Sequence, residues 1–226
     1  MSRAAAYFDV DGTLTRTTTL DPLLWYQRAH LPPWRFRLWA AGLWLEAPYY
    51  WALDKRSRSR FNIVFFRRYA GLPMDELRRW HRATFSENLQ RRIFPAALDC
   101  LREHQRQGHR VGLITGAADF VVQPLAEFLN ADGLIALRLG ERDGVCTGEL
   151  GVPPVADEQK ADLLRTDAQE HGIDLGQSFA YGDSVGDGPM LRCVGNPVAV
   201  RPSRRLRRLA REQGWRVVEW HLGKSN

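Results

Sequence analysis

Cysteine is scarce: Cys100, Cys146 and Cys193 are the only three in 226 residues. They are odd in number, far apart and in no CxxC or Cys/His spacing, which argues against a disulfide framework or a zinc site and for buried thiols. Long apolar runs are missing as well. No stretch of about 18 residues is both apolar and free of charge, and the N-terminal segment meets Asp9 before it reaches the length of a signal-peptide core. A soluble, cytoplasmic protein is expected. Lysine is the third scarcity: Lys55, Lys160 and Lys224 stand against 29 arginines, so each lysine raises the question of why a guanidinium would not serve. What is present, 44% hydrophobic and 26% charged residues, suits a folded chain of one or two domains and excludes a disordered tail or a fibre.

The net charge of +6 is unevenly laid out. Residues 34–68 carry seven arginines and Lys55 against Glu46 and Asp54. Residues 201–216 carry seven arginines against Glu212, so the remainder of the chain is acidic. Two basic stretches fit contact with an anionic partner. The segment Pro202 to Arg211 reads as a Ser-capped helix with Leu206 and Leu209 turned to the core and a solvated arginine face. A nucleic-acid-binding protein is the non-enzyme alternative. No nucleic-acid motif accompanies the arginines, and no nucleic-acid partner is expected.

Three short apolar runs have the length and composition of buried parallel strands: Ala4 to Phe8, Arg110 to Ile114 and Ser178 to Tyr181. Helical patterns lie at Pro95 to Gln107, Phe120 to Leu129 and Asp157 to His171, with Gly108 and Gly172 as natural C-caps. Weaker strands follow at Leu134 to Leu139, Val198 to Val200 and Arg216 to Glu219, and Asp143-Gly144 marks a hairpin leading to Cys146 to Leu150. This alternation predicts an α/β, Rossmann-like doubly wound parallel sheet. Residues 17–92 break it with helices and no strand. They read as a cap domain inserted after the first strand, with residues 1–16 and 93–226 forming the catalytic core. Nine of the chain's 24 aromatics fall between Trp25 and Trp51. They form either the cap's own core, the preferred reading, or a surface that meets lipid headgroups.

In open α/β sheets ligands bind beyond the carboxyl ends of the strands, where this chain places Asp9, Thr115 and Asp183. In Asp9-Val10-Asp11-Gly12-Thr13 the period of two puts two carboxylates on one side. Such a pair repels itself unless a cation intervenes or one member is protonated, and Mg²⁺ meets that need; a strand-end Asp before an Asp-Gly turn is the structural alternative. Gly182-Asp183-Ser184-Val185-Gly186-Asp187 supplies a second pair, and two pairs at strand ends favour a metal site. Thr115-Gly116 offers a hydroxyl and an amide for an oxyanion, or simply a helix cap. Lys160 sits early in its helix, where a positive charge opposes the dipole; it faces something negative, or it is a solvated surface lysine.

The order Asp9-x-Asp11-Gly-Thr13, Thr115-Gly116, Lys160, Gly182-Asp183-x-x-x-Asp187 resembles the haloacid dehalogenase (HAD) superfamily from end to end of the chain. The insert resembles its type C1 cap, and the run Tyr181 to Val200 is similar to phosphoserine phosphatase-like members of subfamily IB. The resemblance implies a Mg²⁺-dependent phosphomonoesterase acting on a small organic phosphate. Asp9 would attack phosphorus to give an aspartyl phosphate, and Asp11 would protonate the leaving oxygen and then activate water. Thr115, Gly116 and Lys160 would bind the phosphoryl group. Asp9, the Asp11 carbonyl and Asp183 would hold the metal, with Asp187 a ligand or one step behind. Retention of Asp11 favours a hydrolase over a mutase or dehalogenase.

Phosphoserine phosphatases carry a Glu nine residues after the nucleophile to hold the substrate's ammonium, and Thr18 stands there in this chain, with Asp21 the nearest acid. The substrate is therefore open between a small metabolite, phosphoserine or histidinol phosphate among them, and a lipid phosphate met at the inner face of an anionic membrane. Arg56, Arg58, Arg60, Arg67 and Arg68 are candidate cap contacts. Arg56 and Arg60 are singled out with Thr18 as specificity positions.

Overall fold

The structure, a computed structural model, describes residues 3–222. Met1, Ser2 and residues 223–226, Lys224 included, lie outside the described residues. In chain order the elements begin with β1 (Ala5–Phe8), α1 (Asp21–His30), α2 (Pro33–Arg56), α3 (Arg58–Phe65), α4 (Met74–Ala83), α5 (Phe85–Asn88) and α6 (Pro95–Arg106). β2 (Arg110–Ala118), α7 (Asp119–Leu129), β3 (Gly133–Leu137), β4 (Leu139–Arg142) and β5 (Val145–Leu150) follow. The chain closes with α8 (Glu158–Glu170), β6 (Phe179–Gly182), α9 (Gly188–Leu191), β7 (Asn196–Val200), α10 (Arg204–Gln213) and β8 (Arg216–Val218).

Six strands form one sheet in the order β3-β2-β1-β6-β7-β8, every neighbouring pair parallel. This is the expected doubly wound arrangement. All four residues of β1 are buried, as a central strand covered on both faces requires. The chain leaves β1 toward β2 and β3 on one side and returns to place β6 on the other, so the strand order reverses at β1. A crevice opens at such a reversal, beyond the carboxyl ends of β1, β2 and β6.

The strands and helix that carry the site are tied together beneath it. The Tyr7 hydroxyl of β1 donates to Asp167 Oδ2 of α8 at 2.9 Å, and Arg110 of β2 donates to Asp167 Oδ1 at 2.8 Å. Gly112 makes room for this: a Cβ there would lie 2.8 Å from the Tyr7 ring.

The strand expected over Leu134 to Leu139 divides into β3 and β4. Two further expectations, on β2 and on the aromatic segment, change, and the hairpin forms where it is expected. β2 does not end at Ile114 but runs to Ala118, with its register to β3 shifted between Thr115 and Ala118. The irregularity takes Gly116 and Ala117 out of the regular register, directly after Thr115, which still pairs with Ala136. The hairpin at Asp143-Gly144 forms with both residues at positive φ, 52° and 76°, as a tight turn matching strand twist demands. Its strands, however, bond to the helical insert rather than to the main sheet. Gly71 N donates to Cys146 O, Cys146 N to Leu72 O and Met74 N to Gly144 O, each at 2.9 Å. The aromatic segment, finally, is only partly a core. Tyr26 and Tyr50 are buried, whereas Trp34, Trp44, Tyr49 and Trp51 stand exposed on α2. A helix of 24 residues that buries only Leu43 and Tyr50 leaves most of its circumference to solvent.

Candidate active site

Beyond β1 the chain folds back on itself. The Val10 carbonyl accepts the amides of Thr13, Leu14 and Thr15 at 3.0–3.3 Å, and Gly12 takes φ +81°. Gly12 is required on a second count: a Cβ there would lie 2.4 Å from Asp183 Oδ2. The turn thus brings the Asp9-Asp11 loop against Asp183 of the next strand end. Asp11 is held by hydroxyls, with Thr17 Oγ1 donating to Oδ1 at 2.6 Å and Thr19 Oγ1 to Oδ2 at 3.4 Å.

Lys160 does face negative charge. Its ammonium donates to Asp9 Oδ1 and Asp187 Oδ1, both at 2.6 Å, with all three side chains buried. The other Asp187 oxygen accepts from the Ser184 amide at 3.0 Å and hydroxyl at 2.8 Å. Asp187 is therefore fully engaged by protein donors, while no hydrogen bond to the Asp183 carboxylate is found among the described residues. The Ser203 amide donates to the Asp183 carbonyl at 2.9 Å and fixes that loop from β7's side.

A cleft of about 570 Å³ joins these groups. Asp9, Asp11, Thr115, Gly116, Lys160, Asp183 and Asp187 all line it, so the structure brings every expected strand-end residue together. The Thr115 oxygen accepts from the Ala117 amide at 3.1 Å, which leaves its proton free to donate into the cleft. From the insert, Thr18 lines the cleft but gives both its amide and hydroxyl to Asp21 Oδ2, at 2.6 and 2.8 Å.

Arg56 and Arg60 do not line the cleft and stand exposed. Of the five cap arginines considered, the one that lines it is Arg58, whose guanidinium donates to Thr19 Oγ1 at 2.8 Å and Asp54 Oδ1 at 2.7 Å. Arg56 ends α2, whereas Arg58 opens α3 after the extended residue Ser57, whose side chain accepts from the amide of the exposed Arg60. Sequence reasoning missed Thr17 and Thr19, a hydroxyl run directly after the first motif. It also missed Asp157, which sits at φ 53°, ψ −133° and whose Oδ2 accepts from the Ser59 amide and hydroxyl at 3.2 and 3.0 Å.

Burial governs the electrostatics. It pushes the Asp9 carboxyl up to about 7, against the pull of Lys160 and with the push of Asp187. Burial raises Asp11 as well, opposed by the Thr17 hydroxyl and Arg58. Asp183 lies well above the ordinary range through burial and the charges of Asp187 and Asp9. Burial would also raise Asp187, but Lys160 and Ser184 hold it below the ordinary value. Burial would lower the Lys160 ammonium, yet Asp187 and Asp9 keep it raised. Four carboxyls thus converge on Lys160 and Arg58, and once all four are ionised these two cations do not balance them. Asp9, Asp183 and Asp187 each present an oxygen within 4.8 Å of the others. Hard oxygen donors, an uncompensated charge and the space kept open by Gly12 fit a divalent cation.

A pH-dependent metal effect is expected. In metal-free protein Asp9 retains a proton up to about 7, whereas the unfolded carboxyl releases it near 3.8. Its folded pKa is raised, so this group destabilises the fold as pH rises through that window. A cation competes with the proton. Mg²⁺ added after chelation should raise the thermal midpoint by roughly 5 °C at pH 8 and clearly less at pH 5.5. Equal increments at both values would place the cation away from Asp9.

A family model of haloacid dehalogenase-like hydrolases matches residues 6–192, and the chain belongs to that family. Among curated relatives, "Inhibition of morphological differentiation protein" of Streptomyces azureus is 30% identical, the alignment covering 98% of this chain and 80% of the relative. Phosphoserine phosphatase SerB1 of Mycobacterium tuberculosis is 29% identical over 98% of this chain and 72% of its own length. Among solved structures, a substrate-bound phosphoserine phosphatase superposes with TM-score 0.71 at 20% identity, covering 97% of this chain and 93% of that one, a likeness of fold.

Proposed function

We propose that the chain is a Mg²⁺-dependent phosphomonoesterase that works through an aspartyl phosphate on Asp9. The observation that carries this reading is the buried Lys160 ammonium shared between Asp9 and Asp187 in a cleft also lined by Thr115 and Gly116. Such an arrangement holds a carboxylate nucleophile in place while offering cations and donors to a phosphoryl group. Phosphate monoesters are among the slowest compounds to hydrolyse unaided, so charge stabilisation at several oxygens is what the chemistry demands.

In the first step a carboxylate oxygen of Asp9 attacks phosphorus, the bond to the ester oxygen breaks, and Asp11 gives that oxygen a proton. Burial, which raises the Asp11 carboxyl, suits it to carry that proton. In the second step Asp11 takes a proton from water, whose oxygen attacks phosphorus and releases inorganic phosphate, restoring Asp9. The Thr115 hydroxyl and Gly116 amide donate to phosphoryl oxygens, and Lys160 neutralises charge on Asp9 and the transferring group. Asp9, the Asp11 carbonyl and Asp183 would hold Mg²⁺, with Asp187 holding Lys160 beside them. The bound ion supplies charge neutralisation at the phosphoryl oxygens.

For the substrate we infer a small organic phosphate. Thr18 supplies no carboxylate for an ammonium, and Arg58 at the cleft wall suits a second anionic group. Phosphate release from phosphoserine, histidinol phosphate, sugar phosphates and a short-chain lipid phosphate, with Mg²⁺ and with chelator, tests the reading. Metal-dependent release from at least one member is expected, and failure of all of them in Mg²⁺ would count against a phosphatase.

A further inference from the structure

Trp34, Leu38, Ala41, Leu45, Pro48 and Ala52 follow one another along α2 at steps of four, three, four, three and four residues. That spacing keeps them on one face of the helix, and all six are exposed. Leu38 is 67%, Leu45 84% and the adjoining Trp44 78% exposed, and Trp51 and Tyr49 widen the stripe toward its C-terminal end. The helix runs about 36 Å, so the apolar face is far longer than the scattered hydrophobics of an ordinary surface. No helix among the described residues is long and apolar enough to cross a membrane. α2 carries six charged residues in its 24 and would lie along a surface rather than through it.

Charge selects the occupant. Both ends of α2 are basic, with exposed Arg35 and Arg37 at one and exposed Lys55 and Arg56 at the other. Its two acids are already taken, Glu46 by Arg68 and Asp54 by Arg58. Two copies packed stripe to stripe, parallel or antiparallel, would set cation against cation. An anionic surface meets both ends favourably. At each end a cation also rests on a tryptophan, Arg35 5.1 Å from the Trp34 ring centroid and Lys55 3.4 Å from that of Trp51. Paired indole and cation suit the boundary between headgroups and acyl chains. The basic edge continues into α10, where Arg205 donates to the Lys55 carbonyl at 3.1 Å.

We propose that α2 is a membrane-docking helix that lies in the headgroup region of an anionic bilayer through the Trp34 to Ala52 stripe. Docking does not depend on the phosphatase reading. The last turn of α2 does border the cleft, through Asp54, so docking would hold the cleft mouth near the lipid headgroups.

The test is co-sedimentation of the full chain with mixed phosphatidylcholine and phosphatidylglycerol vesicles at low salt, beside a Leu38→Glu/Leu45→Glu double variant. The wild type should pellet, with weaker binding to pure phosphatidylcholine. The variant should lose roughly tenfold or more in partitioning, at unchanged circular dichroism and thermal midpoint. These readouts need no turnover, so an inactive enzyme would leave the result intact. Absence of wild-type binding, or binding that the double variant retains, would overturn the proposal. A wild-type dimer in light scattering that the variant converts to monomer, without vesicle binding, would make a second copy the occupant instead.

Discussion

Asn in place of Asp9 is expected to leave a folded protein that releases almost no phosphate, with turnover down by about 10⁴-fold or more. The amide occupies the same volume and its oxygen can still accept from Lys160, which lies 2.6 Å from Asp9 Oδ1. What it lacks is an anionic oxygen to attack phosphorus. Stability should move the other way. Burial pushes the Asp9 carboxyl up to about 7, so its charge is disfavoured in the metal-free fold at pH 8. Removing that charge should leave the thermal midpoint in chelator equal to wild type or higher. Phosphate release and thermal denaturation on the same preparation check both halves. Turnover within tenfold of wild type would move the nucleophile elsewhere.

Lys160→Met should lose on both counts, by about 10²- to 10³-fold in kcat/KM and about 3 kcal/mol of stability at pH 8. The ammonium is buried with Asp9 and Asp187, and taking it away strands two carboxylates. Its own raised pKa keeps it charged throughout neutral pH, so its contribution in the wild type is lost only at strongly alkaline pH. In the variant Asp187 loses the partner that holds it below the ordinary value, and Asp9, already raised by burial, rises further. The folded chain then binds protons that the unfolded chain does not, and stability returns as pH falls. Urea denaturation in chelator at pH 8 and pH 5.5 should show a smaller deficit at the lower pH. A deficit independent of pH would mean that Lys160 contributes packing rather than charge.

The sheet and the site were legible in the sequence for different reasons. Buried parallel strands read as short apolar runs, and Ala5–Phe8, Arg110–Ile114 and Phe179–Tyr181 are such runs. Strand ends are where side chains of distant segments converge, so Asp9, Thr115 and Asp183 could be joined without knowing the cap. The misfit of Lys160 to the helix dipole left it open between a negative partner and solvent, and the family resemblance placed it in the site. The cap was not legible in the same way. Composition counts its aromatics but does not say which side of a helix each takes, and α2 turns Trp34, Trp44 and Trp51 outward. The choice among Arg56, Arg58 and Arg60 hangs on helical phase. Arg56 lies in α2 and Arg58 and Arg60 in α3, so the break at Ser57 has to be placed before that phase can be read. Asp157 gave no signal at all, because its role arises from a reach of 98 residues to Ser59.

The three main-chain hydrogen bonds between residues 71–74 and the Asp143-Gly144 hairpin bear on how modular this molecule is. Boundaries drawn at residues 17 and 92 suggest a unit that could be cut out or exchanged between relatives. Excision at those points would leave β5 paired with β4 alone and the Cys146 amide and carbonyl without partners. The transplantable piece is discontinuous. A chimera that borrows these helices must also borrow residues 139–150, or supply its own strand to receive them, and a deletion that ignores this would gain a sticky edge along with a smaller protein.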